Sequence, residues 1–169
     1  MDAGLGLRAA DVLPSRAGRA VDAVAIWEPL ASSAALALGG DALTFVSPRV
    51  YTQHFNLVSA RPTIARRADD IARLLRALMR AQRTIQAEPD AVRALLAARL
   101  HLAPAVVAAV IENEDFRVRL DQSLVTTMQG EARWAARGTG GARVGVDMLR
   151  TIDPAPLKRI DAAAVGLVR

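Results

Sequence analysis

Trp27, Glu28 and Pro29 follow one another directly after a short apolar run. An indole offers a flat apolar wall and one N–H donor, a carboxylate offers acceptor oxygens, and proline fixes the backbone at a turn. The three residues can therefore form one wall of a site for a small molecule. A structural interpretation competes with this one: the indole closes the end of a hydrophobic core, and the glutamate caps the following helix.

Two arginines, Arg49 and Arg61, lie near predicted strand ends and are candidates for contact with an anion. A guanidinium group pairs bidentately with a sulfonate or a carboxylate, so it supplies both charge and directed donors. The alternative, that both are ordinary surface arginines, stays open. Together with Trp27 and Glu28, they make up the predicted ligand-binding set.

The remaining inventory argues against catalysis. The two histidines, His54 and His101, lie far apart in the chain, and neither has a metal-ligand spacing or a glycine-flanked serine beside it. The glycine clusters at 4–6 and 138–141 lack the residues of a phosphate loop or a dinucleotide fingerprint. Because the chain has no cysteine, disulfides, thiolate nucleophiles and cysteine-bound metals are excluded. We expect a protein that is not an enzyme and needs no cofactor.

The charge pattern does not point to nucleic acid, although the formal net charge is +5. Lys158 is the only lysine, and arginines are interleaved with acidic residues, as over residues 65–83. This interleaving is typical of a solvated helix face rather than of a stripe that follows phosphates. We therefore expect no nucleic-acid partner. No stretch approaches the roughly 18 continuous apolar residues of a membrane span, so no span is expected either.

Three apolar segments predict the strands that would position these residues. The first is short, β-branched and almost uniformly apolar, which is typical of a strand buried on both faces of a parallel sheet. A helix is predicted over residues 30–38, closed by Gly39 or Gly40. The strand–helix–strand order favours a doubly wound α/β layer, in which residues just past a strand end face a ligand-binding crevice. The predicted strands cover residues 21–26, 42–46 and 54–60.

Beyond Pro62 the pattern becomes helical. The first predicted helix has Asp69 or Asp70 near its N-terminus and one apolar face. Pro89 and Pro104 suit the first turns of two further helices. The predicted inward residues are Ile71, Leu74, Leu75, Leu78 and Ile85 in the first helix, and Val92, Leu95, Leu96 and Leu100 in the second.

The last third of the chain combines an extended segment, a helix and short pieces. Residues 115–121 alternate between apolar and charged types, which predicts a half-exposed strand or extended segment. Residues 122–138 return to a helical pattern, with Asp121 or Ser123 as the N-cap. We expect Leu124, Met128 and either Trp134 or Ala135 to face inward.

Four segments of the chain follow the motif order of a known protein group: RAVDAVAIWEPLASSA, FNLVSARP, ADDIARLLRALMRAQRTIQAEPDAVRALLA and FRVRLDQSLVTTMQGEARWA. In this order they resemble the C-terminal half of the nitrate/sulfonate/taurine-type substrate-binding proteins of ABC importers. That group also includes relatives that bind thiamine precursors. The resemblance covers nearly the whole chain.

The resemblance implies an α/β fold of the type II periplasmic-binding-protein kind, in which two lobes close on a small ligand. It implies one partial second lobe at residues 1–60, followed by a helix-rich C-terminal section at 61–169, together a single truncated domain. Family members are longer, begin with an export signal and build a first lobe that has no counterpart here. Residues 27–29 would be the cleft-facing end of a second-lobe strand.

The implied function is non-catalytic binding of a small organic anion, such as a sulfonate, nitrate or a related polar metabolite, for delivery to an ABC permease. The implied location is periplasmic or extracytoplasmic; the chain as written has no signal peptide and would be cytoplasmic if expressed as given. The alternative is a structural or interaction protein without ligand binding. A remnant of the fold would expose the surface that the first lobe covers, and a homodimer or that missing lobe would then cover it.

Overall fold

The computed structural model of the protein describes residues 23–45, 52–138 and 147–168. Over these ranges the chain is mostly helical, and its strands form one short parallel pair. The α-helices are α1 (Leu30–Leu38), α2 (Arg61–Arg66), α3 (Ala68–Ala87), α4 (Pro89–Leu100), α5 (Pro104–Asn113), α6 (Gln122–Gly138) and α7 (Ala155–Lys158). The strands are β1 (Leu120–Asp121) and β2 (Val165–Gly166), and 3-10 helices cover Gly39–Asp41, Met148–Thr151 and Ala162–Ala164.

The chain forms two compact units, each assembled from two separate segments. The first unit comprises Met1–Val46 and Ile85–Asp115, and the second comprises Ser47–Thr84 and Phe116–Arg169. The long helix α3 begins in the second unit, and its last residues belong to the first. The predicted division into residues 1–60 and 61–169 stays a prediction.

In the first unit, α5 packs against both α1 and α4. Local sequence explains where these helices begin and end. Pro89 and Pro104 occupy the first turns of α4 and α5, and Gly39 adopts a φ of 58° where α1 ends, a backbone conformation that glycine accepts without strain. These helix boundaries were predicted and are confirmed. The buried apolar side chains of this unit are Ala34, Val106 and Val107.

In the second unit, β1 and β2 pair in parallel, with Leu120 opposite Val165. Two glutamine side chains hold the segments that flank the strands. Gln82 Oε1 accepts the N–H of Val118 at 2.8 Å, and Gln122 Oε1 accepts the N–H of Val168, two residues after β2, at 3.2 Å. The predicted extended segment at 115–121 is thus confirmed as a strand only at its last two residues. The buried apolar side chains of this unit are Leu75, Leu124, Val125, Ala136, Pro156 and Leu157.

The predicted strands in the first third of the chain are wrong wherever the structure describes them. Residues 23–26, 42–45 and 54–60 are neither helix nor strand; residues 21, 22 and 46 lie outside the described residues. A strand requires a neighbour for its N–H and C=O groups, and within the described ranges none pairs with these segments. Most of their large apolar side chains are exposed, Phe45 at 86% and Val58 at 85%.

Helical periodicity locates α3 and α4 correctly, but it misplaces part of their buried faces. In α3, Leu75 is buried, whereas Leu74 and Leu78 are exposed. In α4, Leu95 and Leu100 are exposed as well. Periodicity shows which residues share a face but not whether another element covers that face, and these four predicted core positions are wrong for that reason.

In α6, the predicted inward positions Leu124 and Met128 are buried and half-buried, respectively. Trp134, by contrast, is 76% exposed, Ala135 is also exposed, and Ala136 is buried instead. Ala136 follows the fully buried Val125 by about three helical turns, so the inward stripe continues on its side of the helix. The prediction that Trp134 or Ala135 faces inward is wrong.

Among the described residues, no single helix is both long and apolar enough to cross a bilayer. Within the ranges that the structure describes, one bent pair, α4 and α5 at 120°, reaches that length and composition when taken together.

Candidate functional site

Trp27, Glu28 and Pro29 lead directly into α1, where the glutamate acts as a helix cap. The carboxylate accepts twice from Ser32: Oε2 from its backbone N–H at 3.1 Å and Oε1 from its hydroxyl at 2.9 Å. The Trp27 carbonyl accepts the N–H groups of the first two residues of the helix, at 3.1 and 3.2 Å. These bonds satisfy N–H groups that a helix N-terminus leaves without an intrahelical partner. Glu28 therefore has the structural role that was weighed against ligand binding.

Trp27 is 55% exposed, so its indole does not close a hydrophobic core. Its neighbour Ile26 is half-buried and Val24 is exposed, so the segment before α1 is held at the surface of the first unit. The indole face is accessible to a ligand. The sequence predicted that the indole follows the end of a buried strand. This prediction is wrong, because residues 23–27 form no strand.

Arg61, in the second unit, borders an open depression of about 800 Å³, within the size range of small-molecule sites. Its Nη2 donates to the backbone carbonyl of Arg150, and this fixes the guanidinium at the rim. Within the described ranges, the other N–H groups of the fork make no hydrogen bond. Of the predicted anion-binding arginines, Arg61 is thus placed in a concavity, whereas Arg49 lies outside the described residues.

Arg150 also lines this depression, and it was not a predicted site residue. The two arginines are separated by 89 positions, and they meet only because the 3-10 helix Met148–Thr151 lies beside the start of α2. No motif in the sequence signals such a pairing. The lining is completed by Asp147, Leu149, Ile152 and Asp153.

The two carboxylates of the depression are anchored by the backbone. Asp147 Oδ1 accepts the N–H of Leu149 at 3.1 Å, and Asp153 Oδ1 accepts the N–H of Ala155 at 3.0 Å. The two aspartates therefore cap short helical turns and hold the carboxylates in place. Leu149 and Ile152 are half-buried and supply the apolar part of the lining.

A separate polar cluster surrounds the start of α6. Asp121 Oδ1 accepts the backbone N–H of Ser123 at 3.1 Å and also its hydroxyl, and Arg119 Nε lies 3.0 Å from Asp121 Oδ2. The Ser123 hydroxyl holds the pKa of Asp121 below its usual value of 3.8, against the opposing effect of burial, and Arg119 lowers it further. Of the two predicted N-caps of α6, Asp121 and Ser123, it is Asp121 that accepts a helix N–H.

This cluster contains a histidine and a serine, but their spatial arrangement does not activate the serine as a nucleophile. His54 Nε2 lies 3.4 Å from Ser123 Oγ, and the Ser123 hydroxyl is directed at Asp121. Serine is activated when its proton is taken by histidine, which a carboxylate then orients. Here serine stands between the other two, and a carboxylate of lowered pKa is a weak base. The geometry supports a helix cap rather than a catalytic group.

We expect that replacing Asp121 by alanine lowers the free energy of unfolding at pH 7 by about 0.5–2 kcal/mol, the usual value of an N-cap. Because the folded pKa of Asp121 lies below 3.8, its contribution is present above that pH and is lost as the pH falls through the lowered pKa. Urea unfolding at pH 7 and pH 3 measures both effects, with a smaller difference between variant and parent at pH 3.

Glu88→Ala is the control, because Glu88 is the N-cap residue of α4 and its side chain makes no cap hydrogen bond. We expect this change to be close to neutral at both pH values. If Glu88→Ala lowered the free energy of unfolding as much as Asp121→Ala does, the hydrogen bonds of Asp121 would not be the cause of the lost stability.

The structure thus places Trp27 and Glu28 side by side in the first unit and Arg61 in a depression of the second. Comparison with known proteins adds no relative: no family model, no curated protein and no solved structure matches this chain.

Proposed function

We propose that this chain is the substrate-binding component of an ABC-type import system, of the type II periplasmic-binding-protein kind, and that it binds a small organic anion without catalysis. A sulfonate, nitrate or a related polar metabolite is the proposed ligand. An ABC permease is the proposed partner, and the proposed location is extracytoplasmic. The motif order from Trp27 to α6 and the exposed indole support this proposal.

The depression beside Arg61 is the observation that carries the proposal. Arg61 and Arg150 both line one open concavity, and neither has an ion-pair partner among the described residues. Guanidinium forks suit the planar or tetrahedral oxygen groups of nitrate, carboxylate and sulfonate. Arg61 was a predicted ligand residue, and its place in the lining of the depression supports the proposal.

The test is calorimetric titration of the full chain with nitrate and with ethanesulfonate. We expect Arg61→Gln to weaken binding by about 10-fold, because a charged hydrogen bond in an exposed site contributes at the low end of its usual range. Arg66→Gln is the matched control, since Arg66 is exposed on the same helix and does not line the depression beside Arg61. Equal losses in both variants would exclude a specific role for Arg61.

The same titration tests the indole. Trp27 belongs to the first unit and does not line the depression beside Arg61. If its ring forms a ligand contact of its own, Trp27→Ala should weaken binding by roughly 5- to 10-fold. Trp134→Ala is its control, because Trp134 is an exposed tryptophan on a different element. If both substitutions leave the affinity unchanged, Trp27 is not a ligand residue.

A second candidate function, a structural or interaction protein without ligand binding, is favoured by a different observation. The exposed apolar side chains include Leu43, Phe45, Phe55 and Val58, which belong to segments that the sequence predicts as strands. Apolar side chains exposed in this number are typical of surfaces that a partner covers. Light scattering distinguishes the two functions: a dimer indifferent to nitrate and ethanesulfonate supports this candidate, and a monomer whose melting temperature rises with either anion supports the first.

A further inference from the structure

The exposed side of α3 carries a row of arginines. Its members follow one another at intervals of three, four and three residues, and all are exposed: Arg73, Arg76, Arg80 and Arg83. Residues three and four apart lie on one face of a helix, so these side chains leave α3 on the same side. At a rise of 1.5 Å per residue, this arginine row is about 15 Å long.

Three members of the arginine row have no acidic partner. The acidic residues of α3 lie in its first turn, and one of them, Asp70, pairs with Arg73. The rest of the helix contains no aspartate or glutamate. Among the described residues, no ion pair or hydrogen bond involves the guanidinium groups of Arg76, Arg80 and Arg83. This part of α3 is therefore a strip of uncompensated positive charge.

The shape of this surface indicates the size of its partner. The arginine row stands on the convex outer side of a helix, where a small ion would contact one or two side chains and stay largely in water. An exposed charge pair of this kind contributes little by itself. A partner that gains from the whole row must present several negative charges over about 15 Å.

An anionic lipid surface fits the row better than a nucleic acid does. The intervals along the row alternate between about 4.5 and 6 Å. The phosphates of a nucleic acid keep the spacing of their backbone, whereas lipid head groups move in the plane of a bilayer and collect beside any arrangement of cations. Clusters of about four to eight basic residues on an amphipathic helix are typical of contact with anionic lipids. The opposite face of α3 holds the buried Leu75, so the helix is amphipathic.

We propose that the arginine row of α3 binds the surface of a membrane that contains anionic lipid, with the helix parallel to the bilayer and outside its apolar layer. This contact is independent of the proposed import function, and it uses none of the residues that line the depression beside Arg61. It assigns a partner to a surface that the proposed ligand does not touch.

The test is co-sedimentation of the full chain with vesicles of equal parts phosphatidylglycerol and phosphatidylcholine, and with vesicles of phosphatidylcholine alone. We expect binding to the anionic vesicles only. Each arginine near an anionic surface contributes about 5-fold, so the triple variant Arg76→Gln, Arg80→Gln and Arg83→Gln should bind on the order of 100-fold more weakly. Glutamine has nearly the helix propensity of arginine, and circular dichroism checks that the variant is folded.

The matched control is the triple variant Arg99→Gln, Arg133→Gln and Arg159→Gln. It removes the same net charge from three exposed arginines that lie on other elements. We expect it to lose no more than about 5-fold, since charges farther than about 10 Å from the surface are largely screened. An equal loss in the two triple variants would overturn the proposal, because net charge and not the row would be the cause. Equal binding to both kinds of vesicle, or to neither, would overturn it as well.

A short DNA duplex is the second probe, at an equal concentration of accessible phosphate. We expect the chain to bind the anionic vesicles more tightly than the duplex. If the chain bound the duplex more tightly, and the variant of the arginine row lost that binding, the partner would be a nucleic acid and the lipid proposal would be wrong.

Discussion

Replacing Val125 by aspartate is expected to unfold the second unit. Val125 is 1% exposed, the most deeply buried large side chain among the described residues. A carboxylate at this position has no counter-ion within an apolar core, and burying it without a partner costs about 4 kcal/mol or more. Domains of this size have a total stability of roughly 5–15 kcal/mol, so the loss removes a large share of it. Urea unfolding followed by far-ultraviolet circular dichroism measures the change.

Val58→Asp is the control for this result, because it introduces the same side chain at a valine that is 85% exposed. It should change the free energy of unfolding by no more than about 0.5 kcal/mol. If both variants were equally destabilised, or if neither were destabilised, the difference in burial between Val125 in α6 and Val58 in the segment before α2 would be incorrect.

A proline at position 77 should break α3. Ala77 lies in the interior of this twenty-residue helix. Proline there removes a backbone donor and clashes with the carbonyl of Arg73, at a cost of about 3 kcal/mol or more. The break would also displace Leu75 from its buried position and Gln82 from its 2.8 Å hydrogen bond to Val118. Thermal and urea unfolding should both show the loss.

Ala77→Gly provides the graded comparison at the same residue. Glycine keeps the backbone donor and costs about 1 kcal/mol in a helix interior. A proline variant no less stable than the glycine variant would mean that α3 is not a continuous helix at this point.

The sequence predicted the helices well because their determinants are local. Pro89, Pro104 and Gly39 mark helix ends by backbone chemistry that depends on a few neighbouring residues. The N-cap at Asp121 is another local feature, since its acceptor and the N–H of Ser123 are two positions apart. Such features require no knowledge of the rest of the chain.

The strands could not be predicted in the same way, because a strand exists only with a partner. Residues 42–45 and 54–60 have the apolar, β-branched character of strands, yet the strand pair that forms joins Leu120–Asp121 to Val165–Gly166. That pairing depends on contacts between distant positions. Apolar content alone does not specify them.

The candidate site shows the same limit. Arg61 could be proposed from its type and position, but Arg150 meets it across 89 positions. Glu28 was predicted either as a ligand contact or as a cap, and only the bonds to Ser32 show that it caps α1. The chemistry of a side chain can be inferred from its residue type, whereas its neighbours in the fold can be identified only from the structure.

The exposed segment at 52–60 has a consequence for the behaviour of the protein at high concentration. It contains no charged residue and no proline, and Phe55 and Val58 are exposed on it. A segment of this composition can stack on its copies in other molecules and start a fibril. Arg61 and Pro62 follow it at once, and a charge and a proline beside such a segment act as gatekeepers that oppose stacking. The arginine that borders the depression thereby also helps to keep separate molecules apart.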